Sequence, residues 1–182
     1  MPKKKGTPYI IFDLDGTLAD NSHRQHFLKP ICRCGQMTPI ELTGKGKICP
    51  RCEWAWPKPD WKQFLDTMGD DLPNDPIIYL ARCLSKITFR RPLLVICSGR
   101  PDTHRHVTEW WLARHQIPYD YLLLRGKKDN DEDHAVKQRM LNRLKKEFRE
   151  PPIFVVDDRG SVVRMWRKNG IVCLQVADTP DF

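Results

Sequence analysis

Two aspartates follow a short apolar run near the beginning of the sequence. Asp13 and Asp15 come directly after Tyr9–Phe12, and Gly16 follows them. Because side chains alternate along a strand, both carboxylates would point to the same side of the chain. A buried carboxylate pair without a partner is costly, so a cation or a shared proton is expected between the two groups. The spacing predicts a metal-binding or acid–base site at the end of a buried strand.

Charged and hydroxyl side chains also follow two later apolar runs. One run is followed by Ser98 and Arg100, and the other by Asp157 and Asp158. In an open α/β sheet, ligands bind just beyond the carboxyl ends of the strands, so these groups are expected to converge. Lys137 lies near the start of an amphipathic helix and is expected to reach the same point; the alternative is that it extends to solvent. Four carboxylates at one point favour a hard divalent cation, most simply Mg²⁺.

The chemistry that these residue types favour is phosphoryl transfer. One carboxylate can attack phosphorus and form an aspartyl phosphate, and a second can protonate the leaving oxygen and later activate water. A serine, a lysine and the metal would hold and neutralise the phosphoryl oxygens. A lone Asp-x-Asp is more often a turn or capping motif. The prediction depends on all four groups occurring in this order.

Strand-like and helix-like segments alternate along the sequence. This alternation predicts an α/β fold with a Rossmann-like, doubly wound parallel sheet. A length of 182 residues suits one domain with a small insertion. The predicted strands are Tyr9–Phe12, Leu93–Cys97, Tyr121–Leu124, Ile153–Val156 and Ile171–Val176.

Helices are predicted from capping residues and from apolar residues at helical spacing. The predicted helices are one capped by Asp60 and reaching Met68, one capped by Asp75 before Pro76, one opened by Pro101 that turns Val107, Trp110 and Trp111 inward, one from Asp133 to Phe148, and one ending at Asn169-Gly170.

Four cysteines are paired within an irregular stretch that interrupts this pattern. Cys32 and Cys34 are followed by Cys49 and Cys52, inside an insertion predicted over residues 30–59. Four thiolates form the closed tetrahedral shell that structural zinc prefers, so Zn²⁺ is expected here rather than unliganded reduced thiols. A closed shell has no open position, which excludes a catalytic metal at these residues.

Basic and aromatic residues surround these cysteines. They could grip a phosphate backbone and stack bases, or the tryptophans could pack the small module onto the rest of the protein. The residues concerned are Arg33, Lys45, Lys47, Arg51, Trp54, Trp56 and Trp61.

The composition indicates the kind of partner and compartment. A formal net charge of +8 favours anionic partners such as nucleic acid or phosphorylated small molecules, although a functionally neutral basic surface is the alternative. No run approaches the ~20 apolar residues needed to cross a bilayer, and the first residues lack a signal-peptide core. Seven cysteines, with Cys83, Cys97 and Cys173 expected in the core, indicate a reducing compartment, hence the cytoplasm.

The four motifs resemble the signatures of the haloacid dehalogenase (HAD) superfamily. Asp13-Leu14-Asp15-Gly16-Thr17 resembles the first signature, and Ser98, Lys137 and Asp157-Asp158 match the second, third and fourth. The resemblance implies a magnesium-dependent phosphatase over the whole chain, with residues 30–59 as a zinc-ribbon-like cap insertion.

The same resemblance assigns roles to the acidic residues. It implies that Asp13 is the nucleophile and Asp15 the general acid/base. It also implies that Mg²⁺ binds the Asp13 carboxylate, the Asp15 carbonyl and an acid from the pair Asp157 and Asp158.

A closer resemblance is to the phosphatase half of phage polynucleotide kinase-phosphatase, which removes 3′-phosphates from nucleic-acid ends. This implies that Arg24 and Arg100 assist phosphate handling, that Asp133 positions the signature lysine, and that Thr17 and Gly99 belong with the substrate-binding residues. If the protein is phage-encoded, the compartment would be the host cytoplasm. The residues that carry this resemblance are Ser98-Gly99-Arg100, Asp133, Val136-Lys137, Asp157-Asp158-Arg159, Val163, Met165-Trp166-Arg167, Gly170, Gln175-Val176-Ala177 and Asp181-Phe182.

Two other functions remain open from the sequence. One is a phosphatase of free nucleotides or other small phosphomonoesters, with the insertion as a lid. The other is a zinc-containing nucleic-acid-binding module on an idle scaffold. The sequence has no Gly-x-x-x-x-Gly-Lys-Ser/Thr loop, so a kinase half is not expected among these residues.

Overall fold

A computed structural model describes residues 6–29, 31–35, 48–49, 51–55 and 58–179. The chain divides into two compact units. The first comprises Met1–Asp20 with Leu72–Asp181, and the second is formed mainly by Asn21–Asp71. Among the described residues, no helix has the length and apolar character needed to cross a membrane.

The first unit is built on a five-stranded parallel sheet with the order β5-β4-β1-β6-β7. Strands β2 and β3 pair antiparallel in a small separate sheet. The strands are β1 (Tyr9–Phe12), β2 (Ala19–Asp20), β3 (Leu72–Pro73), β4 (Leu93–Pro101), β5 (Tyr121–Arg125), β6 (Val155–Arg159) and β7 (Cys173–Thr179).

Helices cover both faces of the sheet, because alternate strand residues point to opposite sides. Tyr9 and Ile11 of β1 pack in one cluster with side chains of α4 and α5, whereas Ile10 and Phe12 pack in another with side chains of α2 and α3. This arrangement confirms the predicted doubly wound α/β fold. The helices are α1 (Trp61–Asp66), α2 (Asp75–Ser85), α3 (Arg105–Arg114), α4 (Asp133–Glu147) and α5 (Gly160–Lys168).

The region after β4 differs from its prediction. The strand continues through the polar motif to Pro101, a 3₁₀ turn follows at Asp102–His104, and only then does α3 begin. Trp110, expected inward, is 51% exposed, whereas Trp111 is fully buried. The buried face of α3 consists of Thr108, Trp111 and Leu112 at helical spacing, and Trp110 lies outside this face.

Smaller differences concern caps and a cysteine. Asp75 is the first residue of α2 rather than its cap, because Asn74 occupies the N-cap position. Asp60, in contrast, caps α1 as predicted, and its side chain accepts a hydrogen bond from the Gln63 N–H at 2.9 Å. Cys83 is exposed rather than in the core, whereas Cys97 and Cys173 are buried.

The described part of the second unit contains α1, 3₁₀ helices at Ser22–Phe27 and Met68–Asp70, and the cysteine loops. The cysteines form a small cluster of their own. The predicted insertion at residues 30–59 falls inside this unit, and its boundaries stay a prediction. Lys45, Lys47 and Trp56 of the sequence analysis, like Asp181 and Phe182, lie outside the described residues.

Candidate active site

Three buried aspartates meet where β1 and β6 end. The two strands are parallel neighbours with Phe12 opposite Val156, so Asp13 is placed beside Asp157. The Asp13 N–H donates to the Val156 carbonyl at 2.9 Å, which fixes this register. Asp13, Asp157 and Asp158 are 4%, 1% and 2% exposed. Each offers a carboxylate oxygen within 4.8 Å of the others.

Lys137 of α4 is the cation of this cluster. Its Nζ lies 2.7 Å from Asp13 Oδ1, 3.0 Å from Asp157 Oδ2 and 3.7 Å from Asp133 Oδ2. The side chain is 1% exposed, so it does not extend to solvent. Val136 and Leu141 are buried on the same helix, and their packing holds Lys137 over the carboxyl edge.

Burial or neighbouring charges raise the pKa values of Asp13, Asp157 and Lys137. Burial raises the pKa of Asp13 well above its usual value, although Lys137 opposes this, and burial likewise raises the pKa of Asp157. Burial alone would lower the pKa of Lys137, but Asp13, Asp157 and Asp133 outweigh it and raise that pKa. The single ammonium group of Lys137 thus faces three carboxyl groups, those of Asp13, Asp157 and Asp133. The oxygen donors of Asp13, Asp157 and Asp158, with this excess of acidic groups, fit Mg²⁺.

The turn after β1 is adapted to the acidic cluster. Gly16 has φ +88°, and a Cβ there would lie 2.2 Å from Asp158 Oδ2, so no larger residue fits without a shift. The buried Thr17 hydroxyl lies 3.4 Å from Asp13 Oδ2 and 3.4 Å from Asp158 Oδ1. Thr17, which the family resemblance assigned to substrate binding, thus contacts the acidic cluster directly.

Asp15 forms an ion pair with Arg100 of β4. The Arg100 guanidinium donates to Asp15 Oδ1 from Nη2 at 2.7 Å and to both carboxylate oxygens from Nε at 3.1 Å. The Asp15 side chain is 20% exposed, so it remains accessible. The fully buried Ser98 accepts a hydrogen bond on Oγ from the Arg100 N–H at 3.1 Å. Both motif residues of β4 thus lie in the same network.

Asp133 is surrounded by basic groups besides Lys137. Burial would raise its pKa, but Lys137, Arg159 and Arg125 together lower it. Arg125 Nη2 lies 3.3 Å from Asp133 Oδ1, and Arg159 Nη1 lies 3.5 Å from Asp133 Oδ2. A Cβ on Gly99 would lie 2.5 Å from Asp133 Oδ1, so glycine is needed for this close approach.

Three groups at the site were not predicted as site residues, although Trp166 and Gln175 are among the residues that carry the family resemblance. Arg125 donates from Nε to the Gly99 carbonyl at 2.9 Å and joins β5 to the motif of β4. Its position directly after an apolar strand was the available signal. The Trp166 indole N–H donates to Asp157 Oδ2 at 3.1 Å, and Gln175 Nε2 donates to the Asp158 carbonyl at 3.1 Å. The partners of these two residues depend on tertiary packing.

Arg24 belongs to the second unit. It is fully buried and donates to Asp71 Oδ1 at 2.6 Å, to Asp71 Oδ2 at 2.7 Å and to the Phe64 carbonyl at 3.2 Å. The Phe64 ring also lies against the guanidinium, with 4.2 Å to its centroid. Its use in substrate binding stays a prediction, and Asp71 is a partner that the sequence did not indicate.

The four cysteines converge within the second unit. Their Sγ atoms lie within 4.8 Å of one another, with 3.4 Å between Cys32 and Cys52 and 3.8 Å between Cys34 and Cys49. Burial would raise the pKa of Cys49, but backbone N–H groups of Arg51 and Cys52 outweigh it and lower that pKa to about 7. Four thiols at this separation fit a tetrahedral zinc ion.

Comparisons with known proteins give a family and a fold. A sequence model of the polynucleotide kinase PNKP phosphatase domain matches residues 61–182. This range contains Ser98, Lys137, Asp157 and Asp158, whereas the motif that begins at Asp13 precedes it. A search of curated proteins returned no match.

Solved structures similar to this chain include HAD hydrolases. A chain of the Pnkp1/Rnl/Hen1 complex is 26% identical with a TM-score of 0.66, and the match covers 97% of this chain and 47% of that one. A chain of the Pnkp1/Rnl/Hen1 RNA repair complex is also 26% identical, with a TM-score of 0.65 and coverage of 97% and 44%. The present chain thus spans less than half the length of each.

A haloacid dehalogenase-like hydrolase from Streptococcus pneumoniae is 18% identical, with a TM-score of 0.55 and coverage of 92% and 83%. At this identity the likeness concerns the fold alone.

Proposed function

The chain belongs to the family of polynucleotide kinase PNKP phosphatase domains, and from this premise we propose that it is a magnesium-dependent phosphomonoesterase that removes 3′-phosphates from nucleic-acid ends. The observation that carries the proposal is the buried cluster of Asp13, Asp157 and Asp158, of which Asp13 and Asp157 contact Lys137. Asp15, two residues after Asp13, remains accessible. Capping or structural aspartates would not require three buried carboxylates within 4.8 Å of one another.

Asp13 is the group that attacks phosphorus in this proposal. One of its carboxylate oxygens forms a bond to phosphorus as the bond from phosphorus to the leaving oxygen breaks, which produces an aspartyl phosphate. Lys137 and Thr17 hold the Asp13 carboxylate from two sides. They restrict its rotation and so keep it oriented for in-line attack.

Asp15 is the proton carrier. It donates a proton to the leaving oxygen in the first half of the reaction and accepts a proton from the attacking water in the second, when the bond from Asp13 to phosphorus breaks. Its two-oxygen contact with Arg100 fixes the position of the carboxyl group, and its 20% exposure leaves it open to substrate and water.

Lys137, Ser98 and the metal would share the charge of the phosphoryl oxygens. Lys137 and Ser98 supply an ammonium group and a hydroxyl from two different elements. A magnesium ion held by Asp13, Asp157 and Asp158 would supply further positive charge for the transferring group.

Three observations support a nucleic-acid end as the substrate: the family of the chain, its net charge and the solved structures to which it is similar. The net charge of +8 favours a polyanionic substrate. The Pnkp1-containing structures come from an RNA repair complex, which supports RNA ends beside DNA ends as substrates to test.

Phosphate release from a defined set of substrates tests this proposal. The purified chain with Mg²⁺ is expected to release phosphate from 3′-phosphorylated DNA or RNA oligonucleotides faster than from 5′-phosphorylated ones or from free 3′-mononucleotides. Asp13→Asn should abolish release. Asp66→Asn, which changes an exposed carboxylate on α1, should leave it unchanged.

Each result has a distinct meaning. Faster turnover of mononucleotides than of oligonucleotides would assign the enzyme to free nucleotides. Activity retained by Asp13→Asn would exclude the aspartyl-phosphate mechanism. Absence of phosphate release from every substrate, with oligonucleotide binding intact, would favour a binding module on this fold.

For the four cysteines we propose a structural zinc ion. The site offers only thiolate ligands and no fifth protein donor among the residues described around it, which suits a closed tetrahedral site. The zinc would fix the loops that carry the cysteines, and no step of phosphoryl transfer involves it.

A further inference from the structure

The cysteine loops of the second unit carry exposed basic and apolar side chains, and we propose that they form a binding surface for single-stranded nucleic acid. The inference rests on the proposed function, because it assigns the part of the chain that holds the polymer. We call this the Trp54 surface, which consists of Ile31, Arg33, Ile48, Arg51 and Trp54.

All members of the Trp54 surface are anchored to one scaffold. Each lies within two residues of a clustered cysteine, and the four Sγ atoms lie within 4.8 Å of one another. The Cys49 N–H donates to the Trp54 carbonyl at 2.8 Å, and Ile48 forms an antiparallel bridge with Ala55. The backbone under Trp54 is therefore fixed before any ligand arrives.

Trp54 presents an aromatic ring that its own unit leaves largely uncovered. The residue is 58% exposed, and the Arg33 guanidinium lies 4.7 Å from the ring centroid. The cation–π contact holds the indole in one orientation, while its exposed area remains available for a nucleobase. Ile31 and Ile48 are each 61% exposed and add apolar area on the same scaffold.

The charge of these loops selects a polyanion as the occupant. Arg33 and Arg51 are exposed, and Glu53 is the sole acidic residue within 31–35, 48–49 and 51–55. An arginine stacked on an exposed tryptophan, with a second exposed arginine three residues before that tryptophan in the sequence, is a combination suited to contacting phosphates and stacking bases without reading sequence. We therefore infer single-stranded DNA or RNA, bound with little sequence preference.

Binding of a labelled oligonucleotide by the full chain tests this surface. The probe is a single strand of about ten nucleotides with a 3′-hydroxyl, so that binding is measured without turnover. Trp54→Ala is expected to raise Kd by about 5- to 150-fold, the loss of one stacked base. Arg51→Gln should weaken binding and reduce the salt dependence of log Kd by about 0.7, the value of one phosphate contact on a single strand.

Trp110 provides a matched control. It is 51% exposed on α3 and has Arg114 at 5.2 Å from its ring, so Trp110→Ala removes a comparable exposed pair from the first unit. It should leave Kd unchanged. Zinc content and melting temperature show whether Trp54→Ala is folded. If Trp54→Ala is not folded, two other variants test the same surface. Trp54→Phe keeps an aromatic ring and is expected to bind as the wild type does, whereas Arg51→Gln, at an exposed residue, is expected to bind more weakly.

The outcomes separate this inference from the proposed function. Wild-type Kd values for Trp54→Ala and Arg51→Gln, or an equal loss in Trp110→Ala, would overturn the inference even if phosphate release is observed. A Trp54-dependent Kd in a protein that releases no phosphate would support the surface and overturn the phosphatase. A rise in KM for oligonucleotides, with unchanged turnover of a small phosphomonoester, would support both.

Discussion

Lys137 determines the charge balance of the acidic site. Its ammonium group lies within 3.0 Å of both Asp13 and Asp157, and it is 1% exposed. Removal of one partner from a buried ion pair leaves the other charge uncompensated, which costs more than the pair contributes. Lys137 is therefore expected to affect both catalysis and folding.

We predict that Lys137→Met strongly reduces activity and stability. Loss of one preorganised positive group is expected to lower kcat by about 10²–10³-fold. The uncompensated carboxylates should lower the free energy of unfolding by about 3–5 kcal/mol in the absence of metal. Phosphate release and urea denaturation, with and without Mg²⁺, measure the two effects. Lys146→Met, exposed on the same helix, is the control, and equal behaviour of the two variants would contradict the assigned role.

At the scale of elements, strand β1 and the turn after it position Asp13 and Gly16 beside the acidic residues of β6. The strand delivers Asp13, and the turn must bring the backbone close to Asp158 of β6 without a side chain at Gly16. A residue with a Cβ at position 16 would have to adopt a left-handed backbone conformation, at φ +88°. Its Cβ would also clash with a carboxylate oxygen of Asp158.

Gly16→Ala and Gly170→Ala separate these two effects. Both glycines have positive φ, but a Cβ on Gly170 meets no atom within 4 Å. Gly170→Ala should therefore lower stability by about 1–2 kcal/mol, the cost of the left-handed conformation, and keep full activity. Gly16→Ala should in addition displace Asp158 and reduce both activity and Mg²⁺ affinity. Phosphate release at several Mg²⁺ concentrations tests this, and normal activity of Gly16→Ala would mean that the turn does not constrain the site.

The ion pair between Arg24 and Asp71 organises the second unit. Because both side chains are fully buried, a double-mutant cycle can separate a structural role of Arg24 from its predicted role in substrate binding. For a structural role, Arg24→Met should lower stability by about 3–5 kcal/mol, and Asp71→Leu in the same background should restore part of it. In that case KM should return towards the wild-type value in the double variant, in which stability is partly restored. A raised KM in a double variant of restored stability would instead support phosphate binding by Arg24.

The cysteine loops give a prediction about metal content. Cys32→Ser should lower bound zinc and the melting temperature, because it removes one of the four ligands of the proposed site. Cys83→Ser, at an exposed cysteine outside the cluster, should leave both unchanged. Elemental analysis of freshly purified protein gives the answer, and a wild-type sample without zinc would contradict the proposed site.

For the whole molecule, the sequence predicted the layout of the site better than its internal contacts. Asp13, Ser98 and Asp157 could be located because parallel strands end at one edge of the sheet, and the apolar runs marked those ends. The position of Arg125 after an apolar run could have indicated this edge of the sheet, but its hydrogen bond to the Gly99 carbonyl depends on tertiary packing. The predicted orientation of Trp110 was wrong because α3 buries the face that carries Thr108, Trp111 and Leu112, and the apolar residues alone did not show which face would pack.

The net positive charge should make the binding of an oligonucleotide substrate sensitive to salt concentration. If the chain with its charge of +8 binds a polymer as well as its terminal phosphate, KM for a 3′-phosphorylated oligonucleotide should rise with salt. The slope of log KM against log salt should be about 0.7 for each phosphate contacted on a single strand. KM for a small phosphomonoester should change much less, because it has one phosphate, and kcat should stay constant for both. Parallel salt dependence of the two substrates would show that the chain contacts only the terminal phosphate, since neutralisation of further phosphates is what steepens the slope.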